Sequence, residues 1–209
     1  MKNSIVTPII ATLGRTSLKD SVMSAQREFE NVIVVADGVD LDFDNLPKEN
    51  VSYFKVGRKN PNDKYGGSAW NLGAYVATTP YISHLGDDDE YDMGAGEYMQ
   101  NKINENPDVD IWITGLRYNN GTYACMTPGL FPGNVAAPTY KTELFASIPF
   151  GLYLINPSAP FPFNSPDYLD FVHVAALHAQ YNLKIDWYCK DLYLVRPKLD
   201  GTHGKGLNS

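Results

Sequence analysis

Cysteine is scarce in this chain: two residues, Cys125 and Cys189, among 209. Their separation matches no zinc-site spacing, so a cysteine-built metal module or a disulfide scaffold is excluded, and both are expected as reduced thiols. Long apolar runs are also missing. No stretch reaches the ~18 apolar residues of a membrane span, and Met1-Lys2-Asn3-Ser4 leads into a strand-like segment without a signal-peptide core. A cytoplasmic protein with no membrane span is the expectation. Positive charge is in deficit, with 17 Lys and Arg against 24 Asp and Glu and a formal charge of −7. That balance argues against a nucleic-acid partner, which calls for a basic face. Internal repeats, heptads and low-complexity tracts are absent as well.

What is present is an ordinary globular composition, 44% apolar and 20% charged, in a length suited to one domain. The first ninety residues alternate between two periodicities. Residues 4–10 read as a strand, and Ser17 is placed to cap a helix to about residue 28. Val32-Ile33-Val34-Val35 is an uninterrupted apolar run, the mark of a strand covered on both faces, and it ends at the turn pair Asp37-Gly38. A further strand is expected at 51–56 and a helix from about 68 to 76. Another strand, Tyr81-Ile82-Ser83-His84-Leu85, runs into Gly86-Asp87-Asp88-Asp89-Glu90. Such alternation predicts an α/β fold with a mostly parallel sheet. Ligands of these sheets bind beyond the carboxyl ends of the strands, which brings Asp37 and the acidic run toward one crevice.

The second half has another texture. A helix near 92–105, a strand at 111–114 and a hairpin turn at Asn119-Asn120-Gly121 are expected. Pro-, Gly- and Phe-rich stretches flank a helix at 140–147. Ser165-Pro166-Asp167 has the residues of a helix start, and a last strand falls at 191–195. The chain is thus read as a single domain, 1–209, with a first half (1–95), a second half with a small antiparallel element (96–196) and a C-terminal tail (197–209).

The segments Ser4-Ile5-Val6-Thr7-Pro8, Val34-Val35-Ala36-Asp37-Gly38, Gly67-Ser68-Ala69-Trp70-Asn71-Leu72-Gly73 and 81–89 occur in an order and spacing that resembles the family 2 glycosyltransferases. The likeness covers residues 4–95 well, and 133–148 and 166–196 more loosely. It implies the GT-A fold and metal-dependent, inverting transfer of a hexosyl group from a nucleotide-diphosphate sugar, UDP-linked by preference, to an acceptor hydroxyl. By the same likeness Pro8, Asp37, Asn71, Asp87, Asn134 and Lys205 would contact the donor. Asp88, Asp89 and His203 would hold Mn²⁺ or Mg²⁺, and Asp167, with Asp170 one turn further on, would be the general base. Three positions depart from the pattern. Ala36 replaces the first aspartate of the usual pair, Trp70 replaces an arginine, and Pro166 precedes Asp167 where the family has Glu-Asp. The acidic run also has two registers. Asp88 falls on the metal-ligand position if Leu85 matches the family leucine, whereas Asp87 and Asp89 form a D-x-D of their own.

Each element has a plainer reading. Asp-Gly is a common turn pair, an acidic run often caps the next helix or is simply solvated, and Asp167 would favour a helix N-terminus for electrostatic reasons alone. His203 and Lys205 lie in a Gly-rich terminus that would fray if nothing held it. His84, His173 and His178 show no ligand pattern. A sugar-nucleotide pyrophosphorylase and a catalytically inactive nucleotide- or glycan-binding relative of the same fold are the alternatives. A Gly-rich basic loop after the first strand would favour the pyrophosphorylase, but Thr12-Leu13-Gly14-Arg15-Thr16 contains one glycine.

Overall fold

A computed structural model describes residues 2–57, 67–118, 121, 123–124, 138–147 and 181–195. Among the described residues nine strands form one sheet. The parallel part comprises β1 (Val6–Thr12), β2 (Val32–Asp37), β3 (Val51–Val56) and β4 (Tyr81–Gly86). β8 (Pro138–Lys141) runs antiparallel between β4 and β6 (Ile111–Tyr118), and β9 (Ile185–Val195) runs parallel to β6. The expected hairpin is present, Leu116 of β6 facing Ala124 of β7 (Tyr123–Ala124). This is the expected α/β architecture with a small antiparallel element.

The apolar strands are buried on both faces because helices cover both. On one face Val6, Ile10, Val34 and Leu85 pack with Leu18, Val22 and Ala25 of α1 (Leu18–Glu28) and Met99 and Ile103 of α3 (Ala95–Glu105). On the other, Ile9, Ile33, Val35 and Ile82 meet Ala69, Trp70 and Ala74 of α2 (Gly67–Val76) and Phe145 of α4 (Thr142–Ser147). Among the described residues no helix is long and apolar enough to cross a membrane.

Gly73 explains part of the motif that opens α2. A Cβ there would lie 2.3 Å from Ile9 Cγ2, so the missing side chain is what lets α2 lie directly on β1. Gly73→Ala is therefore expected to destabilise the fold. Overpacking costs typically ~1–3 kcal/mol, offset by up to about 1 kcal/mol of better helix propensity. Urea unfolding checks this, and a midpoint at or above the wild-type value would show that the contact relaxes freely.

Three expectations change. The 140–147 helix is a strand, β8, followed by α4, which starts at Thr142. The last strand begins at Ile185 rather than 191. α3 starts at Ala95, after Gly94 with φ 80°, because Glu90 and Tyr91 are taken up by a two-residue strand, β5, paired with β9. The helix expected from Ser165 lies outside the described residues.

Candidate functional site

The strand register places the two acidic segments at the same edge of the sheet. Thr12 pairs with Ala36, and Ala11 pairs with Gly86. Asp37 and Asp87 therefore both stand at the carboxyl ends of their strands, either side of β1 and two strand spacings apart, about 10 Å. Asp37 is the last residue of β2 and is 2% exposed.

The acidic run is a tight turn. The Asp89 N–H donates to the Gly86 carbonyl at 3.2 Å, which makes Asp87 and Asp88 its central residues. The next two residues are β5, held from beneath. Tyr91 N–H donates to Ser24 Oγ at 3.1 Å, its carbonyl accepts from Arg27 Nη2 at 2.7 Å, and its hydroxyl lies 2.6 Å from Ser83 Oγ.

The three aspartates behave differently. Asp87 is 3% exposed and turned toward the loop after β1. Its Oδ2 accepts from Thr12 Oγ1 at 2.7 Å and from the Leu13 N–H at 3.2 Å, and its Oδ1 accepts from Arg15 Nη1 at 2.5 Å. Its carbonyl accepts from Ser17 Oγ at 2.9 Å. Burial pushes the Asp87 carboxyl above its ordinary pKa, against the opposing pull of Arg15 and the Thr12 bond. The Arg15 guanidinium is also raised: burial lowers it, but Asp87, Asp88 and Asp89 together outweigh that.

Asp88 and Asp89 both approach Gly86. Asp88 Oδ1 is 3.2 Å from Arg15 Nη1. A methyl group on Gly86 would sit 3.1 Å from that same Asp88 oxygen and 2.8 Å from Asp89 Oδ2. Two carboxylate oxygens thus converge over the space that glycine leaves at the strand end. Hard oxygen donors at a strand terminus suit Mg²⁺ or Mn²⁺, which keep several positions for water and phosphate, so these residues fit the expected cation as a partial ligand set. Among the described residues no group of three or more His, Cys, Asp or Glu is gathered around a metal position.

The other expected residues divide clearly. Asn71 lies on α2, half-buried, one turn from the helix start. Pro8 is not brought to this edge. It pairs with Ser83 in mid-β1, four residues before the strand ends at Thr12. The β1–β2 ladder begins just after it, at Ile9, as suits a residue without an N–H to donate. Trp70, at the position where the resemblance expects arginine, is a core residue. Its ring stacks on His84 with centroids 4.1 Å apart, and Tyr140 and Phe145 close the cluster around that histidine. Asn134, Asp167, Asp170, His203 and Lys205 lie outside the described residues.

Sequence reasoning passed over Thr12, Arg15 and Ser17 as members of this site. They lie 70–75 residues from Asp87 along the chain. The available signal was the rule that strand ends converge, applied to the first strand as well as to the second and fourth.

No protein-family model matches the chain, and neither does any curated protein sequence. Solved structures do match in shape. Residues 1–349 of Staphylococcus aureus TarS align with a TM-score of 0.63 at 17% identity, over 93% of this chain and 60% of that one. The same protein in complex with UDP-GlcNAc aligns with a TM-score of 0.60 at 16% identity, over 93% and 58%. A 4-diphosphocytidyl-2C-methyl-D-erythritol synthase from Anaerococcus prevotii aligns with a TM-score of 0.50 at 13% identity, over 88% and 87%. This chain therefore has the GT-A type of fold, and it spans about three fifths of the length of the TarS fragment.

Proposed function

We propose that this chain is a metal-dependent, inverting glycosyltransferase that moves a hexosyl group from a nucleotide-diphosphate sugar, UDP-linked by preference, to an acceptor hydroxyl. The observation that carries the reading is the turn at the end of β4, where Asp88 and Asp89 converge at the same sheet edge as Asp37. TarS has been crystallised with UDP and with UDP-GlcNAc, which supports a donor of that chemical class.

The roles follow from chemistry. Asp37 accepts a hydrogen bond from the imide N–H of uracil, a donor that cytosine lacks. Asn71 supports the donor from α2. Asp88 and Asp89 hold a divalent cation, which when bound offsets the charge of the diphosphate and stabilises it as a leaving group. Asp167, or Asp170 one turn along, takes the proton of the acceptor hydroxyl on the opposite side. Asn134 would contact the donor sugar.

The tail has a starting point that suits its expected part. Leu194, one residue before the end of β9, pairs with Glu90, the neighbour of Asp89. His203 lies eight positions beyond Val195, a reach of up to about 28 Å, which is ample for His203 and Lys205 to close on the cation and diphosphate. Truncation after Asp200 is expected to weaken donor binding while the melting temperature stays put. Equal donor affinity in the two proteins would remove the tail from the mechanism.

A panel of nucleotide-sugars with and without Mn²⁺ tests the function directly. A ligand at 100 times its dissociation constant adds about 2.7 kcal/mol of stability, which for a domain of this size is a rise of roughly 5–10 °C. The rise is expected with Mn²⁺ and a UDP-sugar together. Metal-independent stabilisation by a CMP-sugar would oppose the reading. The likeness to the erythritol synthase keeps nucleotidyl transfer as a second reading, and pyrophosphate exchange into a nucleotide-sugar would establish that reaction instead.

A further inference from the structure

The acidic turn contains one carboxylate that serves its own chain. Both Asp87 oxygens and its carbonyl are taken by Thr12, Leu13, Arg15 and Ser17, all from the segment that joins β1 to α1. We propose that Asp87 is a positioning residue, latched by Arg15 to the β1–α1 loop, and that it holds Asp88 and Asp89 converged over Gly86 without itself contacting cation or ribose. This rests on the transferase reading above and deepens it.

Three consecutive carboxylates in one tight turn repel one another. Arg15 offsets that repulsion, because its Nη1 reaches Asp87 Oδ1 and Asp88 Oδ1 together. One nitrogen therefore spans the first two members of the run. The third, Asp89, is held by its backbone bond to Gly86. Beyond the turn, Tyr91 is pinned by Ser24 and Arg27 of α1. The turn is thus suspended between two attachments to one helix and the loop before it, and Asp87 is the attachment on the strand side. Both Asp87 oxygens already accept from the β1–α1 loop, from Thr12 and Leu13 on one side and Arg15 on the other, so its bonding is directed to that loop. The only cation among its described contacts is Arg15.

The latch is separable from a ligand by its coupling. Amide hydrogen exchange of residues 86–91, without metal, and Mn²⁺ affinity in the presence of UDP are measured for Arg15→Gln, Asp87→Asn, the double variant and Arg15→Lys. Each single variant is expected to speed exchange at Asp88 and Asp89 about tenfold and to weaken Mn²⁺ about tenfold. The double variant should be no worse than the weaker single, because both changes open the same contact. Arg15→Lys should recover most of the loss, since one cationic nitrogen makes both contacts. The Mn²⁺ magnetic-resonance spectrum at saturation should match wild type in every variant, because no ligand is removed. Additive losses, or a changed spectrum in Asp87→Asn, would make Asp87 a ligand and overturn the proposal. Wild-type exchange in both single variants would overturn it as well. A wild-type protein that takes no Mn²⁺ with UDP would defeat the transferase reading, and the exchange measurement would still decide the latch. If Asp87→Asn does not fold, Arg15→Gln with its lysine rescue carries the same test.

Discussion

Asp88→Asn is expected to give a folded protein whose affinity for UDP no longer rises when Mn²⁺ is added. The fold should survive because asparagine keeps the shape of a side chain that stands at the surface end of β4 with 16% exposure. The loss of function should be large for two reasons. Asparagine keeps the shape but removes the charge that a hard cation needs from its ligand. It also leaves Asp89, among the described residues, as the one carboxylate at the point where the two oxygens converge. Even a lost outer-shell partner typically costs metal sites ~10–100-fold, so a lost ligand should cost at least about 100-fold in Mn²⁺-dependent affinity. Titration calorimetry of UDP with and without Mn²⁺ measures it. A folded variant that shows the full wild-type Mn²⁺ effect would remove Asp88 from the site and leave the alternative register, Asp87 with Asp89. That alternative is the harder one to reconcile with the bonds Asp87 already makes.

Asp167→Asn should show the converse pattern, with nucleotide affinity nearly unchanged and the chemical step slowed ~10²–10⁴-fold, the usual loss when a general base is removed. In the proposed mechanism the acidic turn would hold the cation on the leaving-group side of the donor, so the base would come from elsewhere, and the family resemblance singles out Asp167. The substitution also removes an acidic charge from an expected helix N-terminus, which costs only about 0.3–1 kcal/mol, so a folded variant is obtainable. Single-turnover transfer to an acceptor is the measurement. A wild-type rate in Asp167→Asn with a slow Asp170→Asn moves the base by one helical turn, and full activity in both would discard a base in this segment.

The sequence and the structure agree where local patterning and burial coincide. The Val32–Val35 run has apolar side chains on both faces and can only be a strand between two helical layers, as it is. Asp37 and the acidic run follow such strands directly, so their place at the carboxyl edge was legible from position alone. The second-half hairpin was legible from its Asn-Asn-Gly turn. Agreement fails where a segment has no preference of its own. Pro138–Lys141 is a strand because β4 and β6 lie on either side and satisfy its backbone, and nothing within four residues could announce that. The same holds for the two residues of β5, which exist as a strand only against β9.

The sequence by itself determined an α/β chain, the edge at which chemistry would occur and the supply of carboxylates there. Those are properties of periodicity and of residue type, and they survive without knowledge of any neighbour. Only the tertiary structure distinguished the three carboxylates from one another. Asp87, Asp88 and Asp89 are identical in chemistry and adjacent in the chain, so no local rule distinguishes them. The β1–β4 register brings Arg15 and Thr12, more than seventy residues away, against the first of the three. The turn then directs the other two over Gly86. Trp70 was settled in the same way: a departure from a family pattern in one dimension is, in three, the ring that stacks on His84. A side chain's role is set by its charge environment and burial, and those belong to the fold, not to the residue.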